Sequence, residues 1–175
     1  MRGTRRFGWL ATAALAAGLV VGTGPAGAAS VFVESRGELS DYAPSAYNAT
    51  DGATADLWAV AVGDSTLFFL FVSGMDPESA GNTYGVHVHV GPCVEGAPLT
   101  SGPHYNTGGT PSTETEVWLD FTVLPGGYGF AYTTVPFTIE PGDANSMVIH
   151  AEPTQEGGST PGAAGGRQAC LPVEF

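Results

Sequence analysis

Apolar residues come in short runs rich in Val, Phe and Thr, closed off every few positions by Gly, Pro, Asp or Asn. That punctuation predicts strands, and helical periodicity is almost absent. "SVFVES" reads as a first strand. "DLWAVAV" and "TLFFLFVSG", joined by "GDS", read as a hairpin. "GVHVHV" follows, and then a long polar stretch from Gly91 to Thr115. "EVWLDFTV" and "FAYTTVPFTI", joined by "PGGYG", carry a second hairpin signal. "SMVIHAE" is a further strand, "PTQEGGSTPGAAGG" is a loop by composition, and "QACLPVEF" closes the chain as a last strand. About eight short strands with long excursions predict an all-β protein, a Greek-key β-sandwich or flattened barrel.

The first residues change the charge picture. Arg2, Arg5 and Arg6 precede the apolar run "WLATAALAAGLVV" and the small residues "AGAAS", the layout of an export signal. The expected organisation is a signal peptide over 1–29 and one β-domain over 30–175. No cysteine stands at the expected cleavage point, so the reading is secretion without a membrane anchor. The chain has 17 acidic residues and no lysine, and three of its five arginines lie in the signal. Arg36 and Arg167 then face all 17 acidic residues, a net of −15. Such a surface excludes nucleic acid as a partner. Two cysteines, Cys93 and Cys170, in an exported chain favour a disulfide. Running from 93 to 170, it would close 77 residues, for which loop entropy gives up to about 4–5 kcal/mol.

Candidate chemistry sits in the stretch "TYGVHVHVGPC". Alternate side chains of a strand share a face, so His87 and His89 project together, with Val86, Val88 and Val90 opposite. Two imidazoles side by side on a strand are the beginning of a metal site. The other two histidines are His104 in "SGPHYN" and His150 in "MVIHAE". A lone histidine near a strand end is ordinarily a half-buried side chain, but here all four histidines lie on or beside strands.

In this order, "GVHVHVGPC", "SGPHYN", "VIHAE" and "GGRQAC" resemble the copper/zinc superoxide dismutase family over residues 85–175. The resemblance implies copper ligands at His87, His89, His104 and His150, a Cys93–Cys170 disulfide, and a substrate-guiding arginine at Arg167. Gly85 and Gly102 also match. It implies that His104 carries a proton during turnover. The zinc site departs from the family: no histidine remains for it, and the aspartate expected shortly after the last copper histidine has no match in "HAEPTQ". The expectation is therefore the copper-only branch, with one copper per chain and no zinc. Without zinc, a carboxylate must orient the His104 ring, and the spacing leaves Asp120 and Glu116 both open. The function implied is a secreted copper-dependent superoxide dismutase, with Arg167 and His104 catalytic and Cu(II)/Cu(I) cycling converting superoxide to dioxygen and hydrogen peroxide. The alternative is a non-catalytic copper-binding or copper-delivery protein on the same fold. The sequence does not indicate an oligomeric state.

Overall fold

The computed structural model describes residues 20–22, 30–43 and 48–175. Most of the expected export signal lies outside the described residues. Its Val20–Gly22 forms a short strand β1, paired with β2 (Ser30–Glu38). In chain order there follow β3 (Ser40–Asp41), β4 (Thr54–Val62), β5 (Ser65–Ser73), β6 (Thr83–Tyr84), β7 (Val86–His89), β8 (Phe121–Thr122), β9 (Tyr128–Val135), β10 (Ser146–His150) and β11 (Arg167–Pro172). No α-helix occurs among the described residues, and the only helical pieces there are single 3₁₀ turns at Pro77–Ser79 and Pro98–Ser101. None is long and apolar enough to cross a membrane.

Two antiparallel sheets form a sandwich, ordered β1-β2-β4-β5-β9 and β3-β11-β10-β7, with a small β6-β8 pair beside them. Non-sequential neighbours such as β5 with β9 and β7 with β10 are the crossovers of a Greek-key arrangement. The β4–β5 hairpin forms as its pattern predicts. Ala55, Leu57, Ala59, Phe68, Leu70 and Val72 alternate inward. The two-residue turn places Gly63 at φ +62, a left-handed position at the first central residue that suits a tight hairpin. The second expected hairpin does not form as one unit. "FAYTTV" joins β5 as an edge strand, whereas Trp118 bridges to His87 and Phe121 pairs with Tyr84. Among the described residues the two runs share no ladder, and the isolated Leu124–Tyr128 bridge lies in the segment that links them. Local alternation marks both runs as strands but carries no information about which sheet each will join.

The core fills the space between the sheets, with Phe68, Leu57, Leu70, Leu119, Met147, Ile149 and Leu171 fully buried. Every residue of β7 and β10 is buried, not just alternate ones. Val86, Val88, Met147 and Ile149 face the core, so the opposite face of this sheet must be covered by something else. The cover is the pair of long polar excursions, Val90–Glu116 and Ala151–Gly166. Among the described residues, no element covers the outside of the other sheet. There Phe69, Phe71, Tyr128, Phe130 (62% exposed) and Tyr132 (72% exposed) form an aromatic face along β5 and β9.

Candidate metal centre

The four histidines meet under the loop cover. His87 and His89 project from the face of β7 opposite Val86 and Val88, and His150 ends the neighbouring strand β10. His104 comes from the long excursion and is tied to the sheet by a bridge to His89. One nitrogen from each ring lies within 4.8 Å of one from every other, and three of the four residues are buried.

The far side of each ring decides which nitrogen is available. His89 Nδ1 donates to the Gly102 carbonyl at 3.0 Å, and His150 Nδ1 to the Gly165 carbonyl at 3.3 Å. His104 Nδ1 donates to Glu116 Oε2 at 2.9 Å. A carbonyl or carboxylate oxygen only accepts, so each of these rings keeps its lone pair on Nε2. His87 is reversed. Its Nε2 lies 2.7 Å from Thr154 Oγ1, and Thr154 Oγ1 lies 2.6 Å from Asp120 Oδ1. The carboxylate must accept from the hydroxyl, so the hydroxyl oxygen accepts from His87 Nε2–H. The lone pair of His87 is then on Nδ1, which is buried with no hydrogen-bond partner. His89 Nε2 and His150 Nε2, both lone-pair atoms by this reasoning, stand 3.3 Å apart. Two buried lone pairs at that distance, beside a third buried nitrogen without a donor, repel one another unless a cation lies between them. The donor set is four neutral nitrogens, which suits copper.

Electrostatics keeps His87, His89 and His150 neutral. Burial pushes His89 down to about 3 and His150 down to about 4, and lowers His87 further. Neighbouring histidines add to each shift, and the Arg167 charge acts on His89 and His150. At neutral pH these lone pairs are free of protons.

Of the two carboxylates left open by the sequence, Glu116 is the one on His104. It also accepts from Trp118 Nε1 at 2.9 Å and from Asn106 Nδ2 at 2.9 Å. Burial alone would raise its pKa, but the bonds from His104, Trp118 and Asn106 bring it below the usual carboxylate value. Asp120 serves Thr154 instead. Glu116, Trp118 and Asp120 alternate with the core residues Val117, Leu119 and Phe121 and so share one face. At about 3.3 Å per residue, four residues of extended chain set the two backbone positions roughly 13 Å apart, and their carboxylates meet different partners, His104 and Thr154. Sequence reasoning missed Thr154, Trp118 and Asn106. A hydroxyl, an indole and an amide gain a role here only through the fold.

Arg167 begins β11 beside His150. NH1 donates to the Pro98 carbonyl at 2.6 Å and to Ser101 Oγ at 2.9 Å, and NH2 to the Gly102 carbonyl at 2.6 Å. The Gly102 carbonyl thus accepts from both Arg167 and His89. Gly102 lies at φ +68, a conformation open to glycine and strained for other residues, and this turns its carbonyl toward them. Gly85 lies beside the site, its carbonyl accepting from His150 N at 2.8 Å. The disulfide Cys93–Cys170, with Cα atoms 5.7 Å apart, fastens the same excursion to β11.

No family profile matches the sequence, and no curated protein is similar to it. Solved structures are similar in fold. One is a Cu/Zn superoxide dismutase from Brucella abortus, with 16% identity and a TM-score of 0.58, over 81% of this chain and 99% of that one. Another is a double mutant of a SOD-like protein from Bacillus subtilis, in which two residues were changed to histidine. It has 15% identity and a TM-score of 0.59, over 79% of this chain and 95% of that one. The chain therefore has the Cu/Zn superoxide dismutase-like β-sandwich fold, with four histidines gathered beneath its loops.

Proposed function

We propose that this chain is a secreted copper-dependent superoxide dismutase, holding one copper and no zinc through His87 Nδ1 and the Nε2 atoms of His89, His104 and His150. The supporting observation is the set of four oriented lone pairs, each fixed by a partner on the opposite ring nitrogen. Copper, when bound, supplies one-electron exchange, oxidising one superoxide to dioxygen and reducing a second, with two protons, to hydrogen peroxide. The residues do the rest. His104 is the member of the set left partly open, with 19% of its side chain exposed, and its ring carries a proton at Nδ1 toward Glu116. Solvent protons therefore have their shortest route to the site at that ring. Arg167 brings the cation closest to His89 and His150, where an anion the size of superoxide is drawn by charge at short range. Attraction from farther away is unavailable, because the whole chain carries −12.

One observation favours the second reading, a copper-binding or copper-delivery protein. Three of the five Arg167 donors already hold the loop, which leaves fewer for an anion. Metal analysis of protein taken from its export compartment, with cyanide-sensitive removal of superoxide by the copper-loaded form, separates the two. One copper with turnover supports the dismutase. One copper without turnover supports the binding protein, and a second tightly held metal contradicts the copper-only assignment.

A further inference from the structure

We propose that the Thr154 hydroxyl, gripped by Asp120, is the positioning group for His87 and selects Nδ1 as that ring's metal-facing nitrogen. The proposal deepens the copper reading above and rests on it. His87 is the one ring of the four whose metal-facing atom is Nδ1, so it needs a partner that accepts at Nε2. It is fully buried, so water cannot replace a missing partner. Thr154 supplies the acceptor, but a threonine hydroxyl can donate as well as accept and does not by itself choose a tautomer. Asp120 makes the choice. Its Oδ1 accepts a hydrogen bond from the hydroxyl at 2.6 Å, and its Oδ2 accepts one from the Thr154 backbone N–H at 2.7 Å. Side chain and main chain of Thr154 are therefore held together by one carboxylate. The same Oδ1 accepts from Val86 N at 3.3 Å, which ties the clamp to the residue before His87. Thr154 stands in the excursion after β10, the loop that also supplies the carbonyl for His150, so one loop orients two ligands.

Gly85 shows how closely the hydroxyl is fitted. A Cβ there would come 2.9 Å from Thr154 Oγ1, 2.8 Å from the Glu152 carbonyl and 2.6 Å from Ala164 Cβ. A side chain at 85 would force a shift among these three neighbours, the hydroxyl included.

The test uses the full metal-free protein and four forms: wild type, Thr154→Val, Thr154→Ser and Asp120→Asn. Nitrogen-15 NMR of the histidines reads the tautomer without metal. The expected result is an Nε2–H tautomer for His87 in wild type and Thr154→Ser, lost in Thr154→Val. Titration with Cu(II) against a competing chelator then reads affinity. Thr154→Val and Asp120→Asn should bind about 10–100-fold more weakly, with a changed copper electron paramagnetic resonance spectrum, while Thr154→Ser stays near wild type. A wild-type His87 protonated at Nδ1 would overturn the proposal. So would Thr154→Val with wild-type affinity and spectrum, or equal weakening by Thr154→Val and Thr154→Ser, which would make Thr154 a packing residue only. Should wild type show the Nε2–H tautomer but take up no copper at these histidines, the copper reading fails while the Thr154 contact stands as structural. Melting of the metal-free variants guards against misfolding as the cause.

Discussion

Arg167 lies inside the loop it holds, and its removal should have two separable effects. Hydrogen bonds to charged groups contribute about 1.5–3 kcal/mol each, so Arg167→Ala should lower unfolding stability by at least that much in denaturant titrations. Local charge near the site should matter too, and superoxide decay on copper-matched samples should slow by about tenfold, more for Arg167→Glu. Equal decay rates for wild type and Arg167→Glu would leave Arg167 as a clasp alone. Lysine is a poor substitute, since a point charge cannot span Pro98, Ser101 and Gly102 as the planar fork does. At this scale the residues legible in the sequence were those with rare chemistry. Four histidines and one arginine near the last cysteine stand out in a chain without lysine. Thr154 did not, because its role depends on a carboxylate 34 residues away meeting it in space. Asp120 and Glu116 were legible as a pair but not by role. The fold decides between them: Glu116 meets the His104 ring and Asp120 meets Thr154.

Among the elements, the β4–β5 hairpin was fully legible, because alternation, turn length and a glycine at the turn agree. The "EVWLDFTV" segment was legible as extended chain but not as to its neighbours, since its partners β6 and β7 precede it by more than 30 residues. The excursions that roof the histidines are the least legible part. They contain little regular structure and are held by side-chain bonds, by Arg167 and by the Cys93–Cys170 bridge. Reducing that bridge reopens a 77-residue separation in the unfolded chain and should cost about 3–5 kcal/mol. Denaturant midpoints with and without reductant measure it. The metal-free protein should also bind copper more weakly after reduction, because the His104 loop loses one of its two ties to β11.

For the molecule as a whole, the buried histidines set an acid limit. Their native values lie below the ordinary 6.5, with His89 at about 3 and His150 at about 4, so below that ordinary value the unfolded chain binds more protons than the folded one. Stability of the metal-free protein should therefore fall as pH drops from about 6.5 toward 3, by up to about 1.4 kcal/mol per pH unit for each such ring. The depressed Glu116 acts in the same direction at the acid end, since its native bonds are lost as it is protonated. Metal on the same nitrogens competes with those protons, so the loaded protein should melt at higher temperature throughout this window. Thermal melting at stepped pH, with and without copper, checks both statements. A metal-free melting temperature that stays flat down to pH 4 would show that the rings are hydrated rather than buried.

The aromatic face of β5 and β9 has a consequence for how the protein behaves in concentrated solution. β9 is an edge strand, and with no lysine in the chain it lacks the positive side chains that commonly guard such edges. Mutual repulsion between strongly acidic bodies opposes the meeting of two such faces, a force that acts over about 10 Å at 0.1 M salt and about 3 Å at 1 M. Colloidal stability is thus delegated to the ionic medium. Light scattering should rise as sodium chloride is raised toward 1 M, whereas a Phe130→Lys, Tyr132→Lys double variant should stay dispersed over the same range.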